Sequence, residues 1–564
     1  MALTEARSRL PERAVPTRFD ATLFQFKVHL FRAHRFFGEL GRRPAWLAKG
    51  EAAAFEMVVS EHRSALWSDP RPDERALQWG KVQNLRVAAR LLDRTILPQG
   101  AVFSFWRQIG RAGATKGFVA GRMLQEGCLV PATGGGLCQL SNALYDAALT
   151  AGCEIVERHA HSRLVPGSRA AAGRDATVAW NYVDLRFAAP QMLMLRVELA
   201  RDELVVRLLA PPHATGKVGK SSGDFLSQGS GDVVAPYASS CGTCDETNCF
   251  RHEGGSTTPV GRTAFLVDEN WPEFRSYVAS TRRNDDVLAL PINGSRSPRY
   301  AWDTNGFARV MPAAFTALMR SVRLRFAKDA PARRAAELGG AEALARRLAR
   351  TLTPDVTDVV VAQSLLPFPW PDGHLGGRRF SVLMTRMPMA EIEVRLNAAA
   401  MRHHERRSLA DFRADPALIA DERAALAAAD AIVTPHAEIA RLFGERAVQL
   451  DWVRPEANAR TGAVVPRRIA FPGPTIARKG AYELREAARS LDLEVVLVGS
   501  ELEGADFWSG VRTRRAGPAN WLDGVTAVVQ PALLEDAPRK LLEALASGVP
   551  VIATPACGLP PQMG

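Results

Sequence analysis

Along the second half of the chain, short runs of mostly apolar residues alternate with longer stretches of helical spacing. The runs cover residues 263–268, 358–362, 380–385, 469–471, 494–499, 526–530 and 549–554. Short apolar runs without alternation are the mark of strands buried on both faces, and helical stretches between them predict parallel α/β units. The last two runs flank Pro538 and Gly548. Proline near a helix start and glycine just past its end predict a helix between them.

The first half has a different pattern. Val82, Leu85, Ala88, Ala89 and Leu92 recur at helical spacing, residues 98–100 read as a turn and 102–106 as a strand. Leu144, Ala147 and Ala148 mark another helix, and residues 192–199 and 204–209 alternate as strands that close a domain. Upstream, residues 1–80 read as helical and basic. Their apolar positions (Leu23, Phe24, Phe26, Val28, Leu30, Phe31) follow no single face and are interrupted by Lys27, His29, Arg32 and His34. A packed helical lead-in fits better than a membrane-binding helix. A segment rich in Gly, Ser and Pro, 211–238, marks a boundary. The expected organisation is a helical region at 1–80, an α+β domain at 81–210, a linker at 211–255, and two Rossmann-like domains at 256–450 and 451–564: an α/β multidomain protein.

Composition narrows this picture little. At 564 residues, 47% hydrophobic and 23% charged, the chain has the balance of soluble globular protein. The formal charge of +12 is scattered as arginine through the sequence. It suits nucleotide diphosphates or a peripheral contact with anionic membrane lipid. No Lys/Arg block with interleaved aromatics points to nucleic acid, so none is expected as a partner. No apolar run of membrane-spanning length occurs, and charges interrupt the first 30 residues where a secretory signal would have its apolar core. The expected location is the cytoplasm, with membrane association as the variant.

Three stretches carry candidate chemistry. Cys138 follows Gly134-Gly135-Gly136-Leu137 at a helix start, where backbone N–H groups and the helix dipole lower a thiol pKa. His159, His161 and Asp175 downstream supply the other parts of a Cys/His/Asp arrangement. A small buried cysteine with structural histidines is the competing reading. Cys241, Cys244, Cys249 and His252 have the C-x2-C-x4-C-x2-H spacing of a closed zinc site, with an iron–sulfur cluster as the alternative. The third stretch is a basic loop, Gly473 to Gly480 with Arg478 and Lys479, between a strand and a helix, where an anionic diphosphate would bind. His374, in a glycine-rich turn, is a candidate for acceptor or base work.

Residues 81–187 resemble the VanW family. The segments that carry this are Ala112-Gly113-Ala114-Thr115-Lys116-Gly117-Phe118, the Gly-Gly-Gly-Leu-Cys-Gln-Leu-Ser run, Glu157-Arg158-His159-Ala160-His161-Ser162-Arg163 and Gly173-Arg174-Asp175-Ala176-Thr177-Val178. The resemblance implies a cell-envelope context. Glu535 and Glu543, with the helix between Pro538 and Gly548, resemble the Glu-x7-Glu segment of retaining GT-B glycosyltransferases. That resemblance implies a nucleotide-sugar donor and a glycan or lipid-linked acceptor. Lys479 would bind the diphosphate, Glu543 the ribose and Glu535 the transferred sugar. Pro474 stands where that family carries an arginine, with Arg478 as its substitute from a shifted position. The resemblance also implies that the last domain is incomplete.

Overall fold

The computed structural model of the chain describes residues 18–41, 43–51, 54–67, 78–125, 128–160, 174–212, 261–294, 298–457, 463–517 and 519–561. It forms two compact units, residues 1–260 and 261–564.

Among the described residues of the first unit, a helix over Arg18–Gly38 precedes nine strands. These are β1 (Met57–Ala65), β2 (Thr95–Leu97), β3 (Val102–Ser104), β4 (Ala120–Gln125), β5 (Cys128–Thr133), β6 (Glu154–Glu157), β7 (Arg186–Ala188), β8 (Leu193–Leu199) and β9 (Glu203–Ala210). An antiparallel sheet has the order β1-β9-β8-β2. Helices over Trp79–Leu92 and Cys138–Thr150 pack on it through Leu85, Leu92, Leu140 and Leu144. β1 corrects the expectation of an all-helical region at 1–80. The inward positions Ser60 and His62 are polar, so the strand leaves no clean apolar alternation. The strand expected over 102–106 stops at Ser104, whose hydroxyl accepts from Arg107 N at 3.2 Å and caps a short helix, Phe105–Ile109.

The second unit holds two parallel sheets. The first contains β10 (Arg262–Leu266), β11 (Val287–Leu290), β12 (Arg309–Pro312), β13 (Val356–Ala362), β14 (Arg379–Leu383), β15 (Ala431–Thr434) and β16 (Ala447–Gln449). Its order is β12-β11-β10-β13-β14-β15-β16. The second contains β17 (Arg468–Phe471), β18 (Glu494–Leu497), β19 (Arg512–Arg515), β20 (Ala527–Gln530) and β21 (Val551–Ala553), ordered β19-β18-β17-β20-β21. Both are doubly wound, and the strand order reverses direction between β10 and β13 in one and between β17 and β20 in the other. Such sheets bind ligands beyond the carboxyl ends of the strands at the point of reversal. The loops after β10, β13, β17 and β20 are therefore where this unit places its chemistry.

Candidate functional site

The loop after β17 ends in a short 3-10 turn, Ala477–Lys479, closed by Gly480 at φ +80°. A Cβ at residue 480 would lie 2.1 Å from the carbonyl oxygen of Pro531. Glycine is thus required twice, for the left-handed backbone and for the close approach of the two loops. That approach brings the ammonium of Lys479 to 2.9 Å from Glu535 Oε2, with both side chains about 90% buried. Glu535 also accepts from the side chain of Gln530 and, through Oε1, from Ala537 N at 3.1 Å. The structure therefore joins the basic loop and the first glutamate, which lie more than fifty residues apart in sequence.

His436, after β15, fixes the acidic loop from the first sheet. Its Nδ1 accepts from Ile439 N at 3.4 Å and its Nε2 donates to the Glu535 carbonyl at 3.2 Å, which sets a neutral tautomer. Burial pushes the imidazole below its usual pKa. Next to Glu535, Asp536 pairs with Arg386 at 2.8 Å. Burial raises this carboxyl, but Arg386, Lys479 and Arg478 outweigh that and hold it low.

Glu543 lies on the helix Arg539–Ala546, where Trp521 Nε1 donates to Oε1 at 2.9 Å and Lys540 reaches Oε2 at 2.8 Å. The same helix starts on the first sheet's side. Arg539 pairs with buried Glu273, with Nη1 2.8 Å from Oε1, and lies over the rings of Trp271 and Trp452.

The other expected donor-site residues fall differently. Arg478 makes no ion pair with Glu535, and its guanidinium carbon lies 4.7 Å from the centroid of the Phe412 ring. A side chain at Gly473 would meet only ordinary van der Waals contacts, whereas one at Gly499 would strike the Gly473 carbonyl at 2.3 Å. The tight glycine of this loop pair is Gly499, which no motif marks. Ala477 N is occupied by Ser408 Oγ at 3.0 Å and Glu503 Oε1 at 2.9 Å. At the first sheet's reversal point, Asp268 takes a forked contact from Arg320 at 2.8 and 2.9 Å and one from Ser364 Oγ at 2.8 Å. These residues line a cavity of about 220 Å³. His374 lies in the segment joining β13 to β14, where its carbonyl accepts from buried Arg378 at 2.6 Å. It does not line that cavity.

In the first unit, Cys138 opens the helix Cys138–Thr150 after a turn with Gly134 at φ +80° and Gly136 at φ +95°. Its sulfur is 3.6 Å from Thr177 Oγ1. The ring of His159 pairs with Glu157 at 3.2 Å and is half exposed, while its backbone carbonyl accepts from Thr177 N at 2.8 Å. Asp175 is buried and held by Arg158 at 2.7 Å. His161 lies outside the described residues, as do Cys241, Cys244, Cys249 and His252. Among the described residues no cluster of three or more His, Cys, Asp or Glu could hold a metal.

Two features of this unit have no sequence motif. His62 and Asp146 form a buried pair at 2.7 Å, joined by Arg174. Lys81 packs its stem against Gly136, two residues before Cys138 in the chain. Burial and the nearby charge of Arg122 push its amine down to about 7.

Comparison with known proteins gives likenesses of two kinds, to sequences and to solved structures. Residues 80–209 match the family profile described as "VanW like protein". The chain is 32% identical over 139 residues to the uncharacterized protein YoaR of Bacillus subtilis, covering 24% of this chain and 45% of that protein. It is 28% identical over 181 residues to the vancomycin B-type resistance protein VanW of Enterococcus faecalis, covering 31% and 66% respectively. The chain thus spans about half of the first relative and just under two thirds of the second. Solved structures similar to it include Anabaena Alr3699/HepE in complex with UDP and glucose. That likeness has 12% identity and a TM-score of 0.28, covering 52% of this chain and 80% of that one. Another is WaaG, a glycosyltransferase involved in lipopolysaccharide biosynthesis, with 15% identity and a TM-score of 0.29, covering 52% and 82%. Residues 80–209 are a VanW-like domain, in a chain whose second unit is built from two doubly wound parallel sheets.

Proposed function

We propose that the second unit transfers a sugar from a nucleotide-sugar donor, with retention of configuration, to an envelope glycan or lipid-linked acceptor. The observation that carries this reading is the meeting of Lys479 and Glu535 at the reversal point of the second sheet, 2.9 Å apart. Glu543 is anchored eight residues further on, by Trp521 and Lys540. Without ligand, Glu535 neutralises Lys479. A donor diphosphate brings its own negative charge to that ammonium and releases the Glu535 carboxylate toward the sugar. Lys479 then stabilises the charge that develops on the departing diphosphate, from a buried position where electrostatic contacts are strong. Glu543, one to two helical turns into Arg539–Ala546, is the ribose-binding acid. The VanW-like domain supports an envelope setting, at the cytoplasmic membrane face.

Thermal unfolding of the full chain against UDP-, GDP- and ADP-sugars tests the reading. A donor at about 100 times its Kd adds about 2.7 kcal/mol to stability. That raises the melting temperature of a unit this size by roughly 5 °C. One donor class should produce this shift in the wild type and not in Lys479→Ala. A panel that shifts neither protein would sink the proposal.

A further inference from the structure

Phe412 has a backbone φ of +70°, a region that bulky side chains seldom occupy. Strain of this kind persists where the surroundings over-determine it, and it concentrates at functional sites. Here it accompanies an unusual ring environment. The guanidinium carbons of Arg334, Arg478 and Arg386 lie 4.4, 4.7 and 5.1 Å from the ring centroid. Any two of these carbons are therefore within about 10 Å of each other. The three arginines come from three separate elements: the helix Ala330–Ala349, the loop after β14 and the 3-10 turn before Gly480.

Among the described residues two carboxylates, Asp536 and Glu337, pair with them directly, and Glu422, Glu535 and Asp411 act on them through space. Arg386 has Asp536 at 2.8 Å. Among the described residues, Arg334 pairs with Glu337 at 3.7 Å and makes a long contact from its Nε to the Arg413 carbonyl at 3.4 Å. The Arg478 side chain makes no hydrogen bond or ion pair with the described residues; Asp536, Glu535 and Asp411 act on it only through space. Burial lowers the pKa of Arg334 and Arg478, and the like charge of Arg386 lowers both further. Contact with one phenyl ring offsets little of the cost of gathering three partly dehydrated cations. An incoming anion would offset it, and planar guanidinium forks fit phosphoryl and carboxylate oxygens in pairs. Arg334, Arg386 and Phe412 also line the cavity of about 220 Å³ at the first sheet's reversal point. That volume suits a head group better than a whole ligand.

We propose that Arg334, Arg386 and Arg478, gathered on the ring of Phe412, bind a phosphoryl or carboxylate group of the second substrate. Assigning the anion to a second substrate rests on the glycosyltransferase reading; the anion site itself does not. An acidic acceptor would therefore be selected over its neutral counterpart, and its charged group would be held separately from the donor diphosphate at Lys479.

Calorimetric titration of the full chain at low ionic strength with inorganic phosphate, acetate and UDP tests this. Arg478→Gln is the informative variant, because that side chain holds no hydrogen bond whose loss would disturb the fold; Arg334→Gln is its companion. The expected result is binding of phosphate or acetate in the wild type, weakened at least tenfold in each variant and retained at saturating UDP. Preference between the two anions separates a phosphoryl from a carboxylate source. Absence of binding by both anions, equal binding in wild type and variants, or complete displacement by UDP would each overturn the proposal. If the anion binds in an arginine-dependent way while none of UDP, GDP and ADP binds, the anion site stands and the donor reading fails.

Discussion

The Lys479–Glu535 pair leads to a prediction in which two substitutions act in opposite directions on the same ligand. In the free protein the ammonium and the carboxylate are 2.9 Å apart and about 90% buried. A nucleoside diphosphate must therefore compete with Glu535 for Lys479. Lys479→Ala deletes a charge-assisted contact to the diphosphate, a loss of about 1.5–3 kcal/mol, or roughly 10- to 150-fold in Kd. Glu535→Gln removes the competitor and retains a side chain that still pairs with Gln530. UDP, which carries no sugar for Glu535 to contact, should then bind as tightly as to the wild type or up to about fivefold tighter, a gain of about 1 kcal/mol. Transfer from the intact donor should nevertheless fall sharply. Calorimetric titration of UDP, GDP and ADP into the three proteins measures the first pair of effects. If Lys479→Ala binds the best of these nucleotides as well as the wild type, or if Glu535→Gln loses affinity in parallel with Lys479→Ala, the competition argument is wrong.

Other consequences concern the framework. Gly480→Ala places a methyl group against the Pro531 carbonyl in a left-handed backbone and should cost about 2–4 kcal/mol, measurable by denaturant unfolding; an unchanged midpoint would show that the loops are free to separate. His436 is held neutral, so below about pH 6.5 the unfolded chain binds a proton that the folded chain refuses, and stability falls as pH falls. His436→Asn should flatten that slope between pH 6.5 and 5 by up to about 1.4 kcal/mol per pH unit, and an identical slope in both proteins would exclude the buried-imidazole account. Lys81, with its amine pushed down to about 7, should be less favourable to the fold at pH 7 than an uncharged residue of similar length. Lys81→Met should therefore raise the melting temperature of the first unit at pH 6 more than at pH 9, and a lower temperature at both would indicate that the amine is well paired.

The alternation of apolar runs and helical stretches was enough to expose the parallel sheets of the second unit, because their central strands are buried on both faces. Edges were harder to find. β19 reads Arg-Thr-Arg-Arg with all four residues exposed, so no hydrophobic pattern marks it. β1 turns Ser60 and His62 inward, and burial of polar residues erases the period-two signal. The site shows the same division. Lys479, Glu535 and Glu543 follow a spacing tied to local structure, so they are visible in one dimension. Phe412, His436 and Arg386 acquire their roles only through packing between two sheets, which no local pattern records. In the first unit, cysteine, histidine and aspartate occur in a suggestive order, whereas the pairing of Asp175 with Arg158 and of His159 with Glu157 has no mark in the sequence.

The central claim is that the second unit turns over a nucleotide sugar with Glu535 facing the transferred sugar. Its most direct test is nucleoside-diphosphate release from the responsive donor by the full chain, compared with Glu535→Gln at saturating donor. The account predicts release by the wild type and at least a hundredfold slower release by the variant despite undiminished binding of the matching nucleoside diphosphate. Equal release by the two proteins would contradict it.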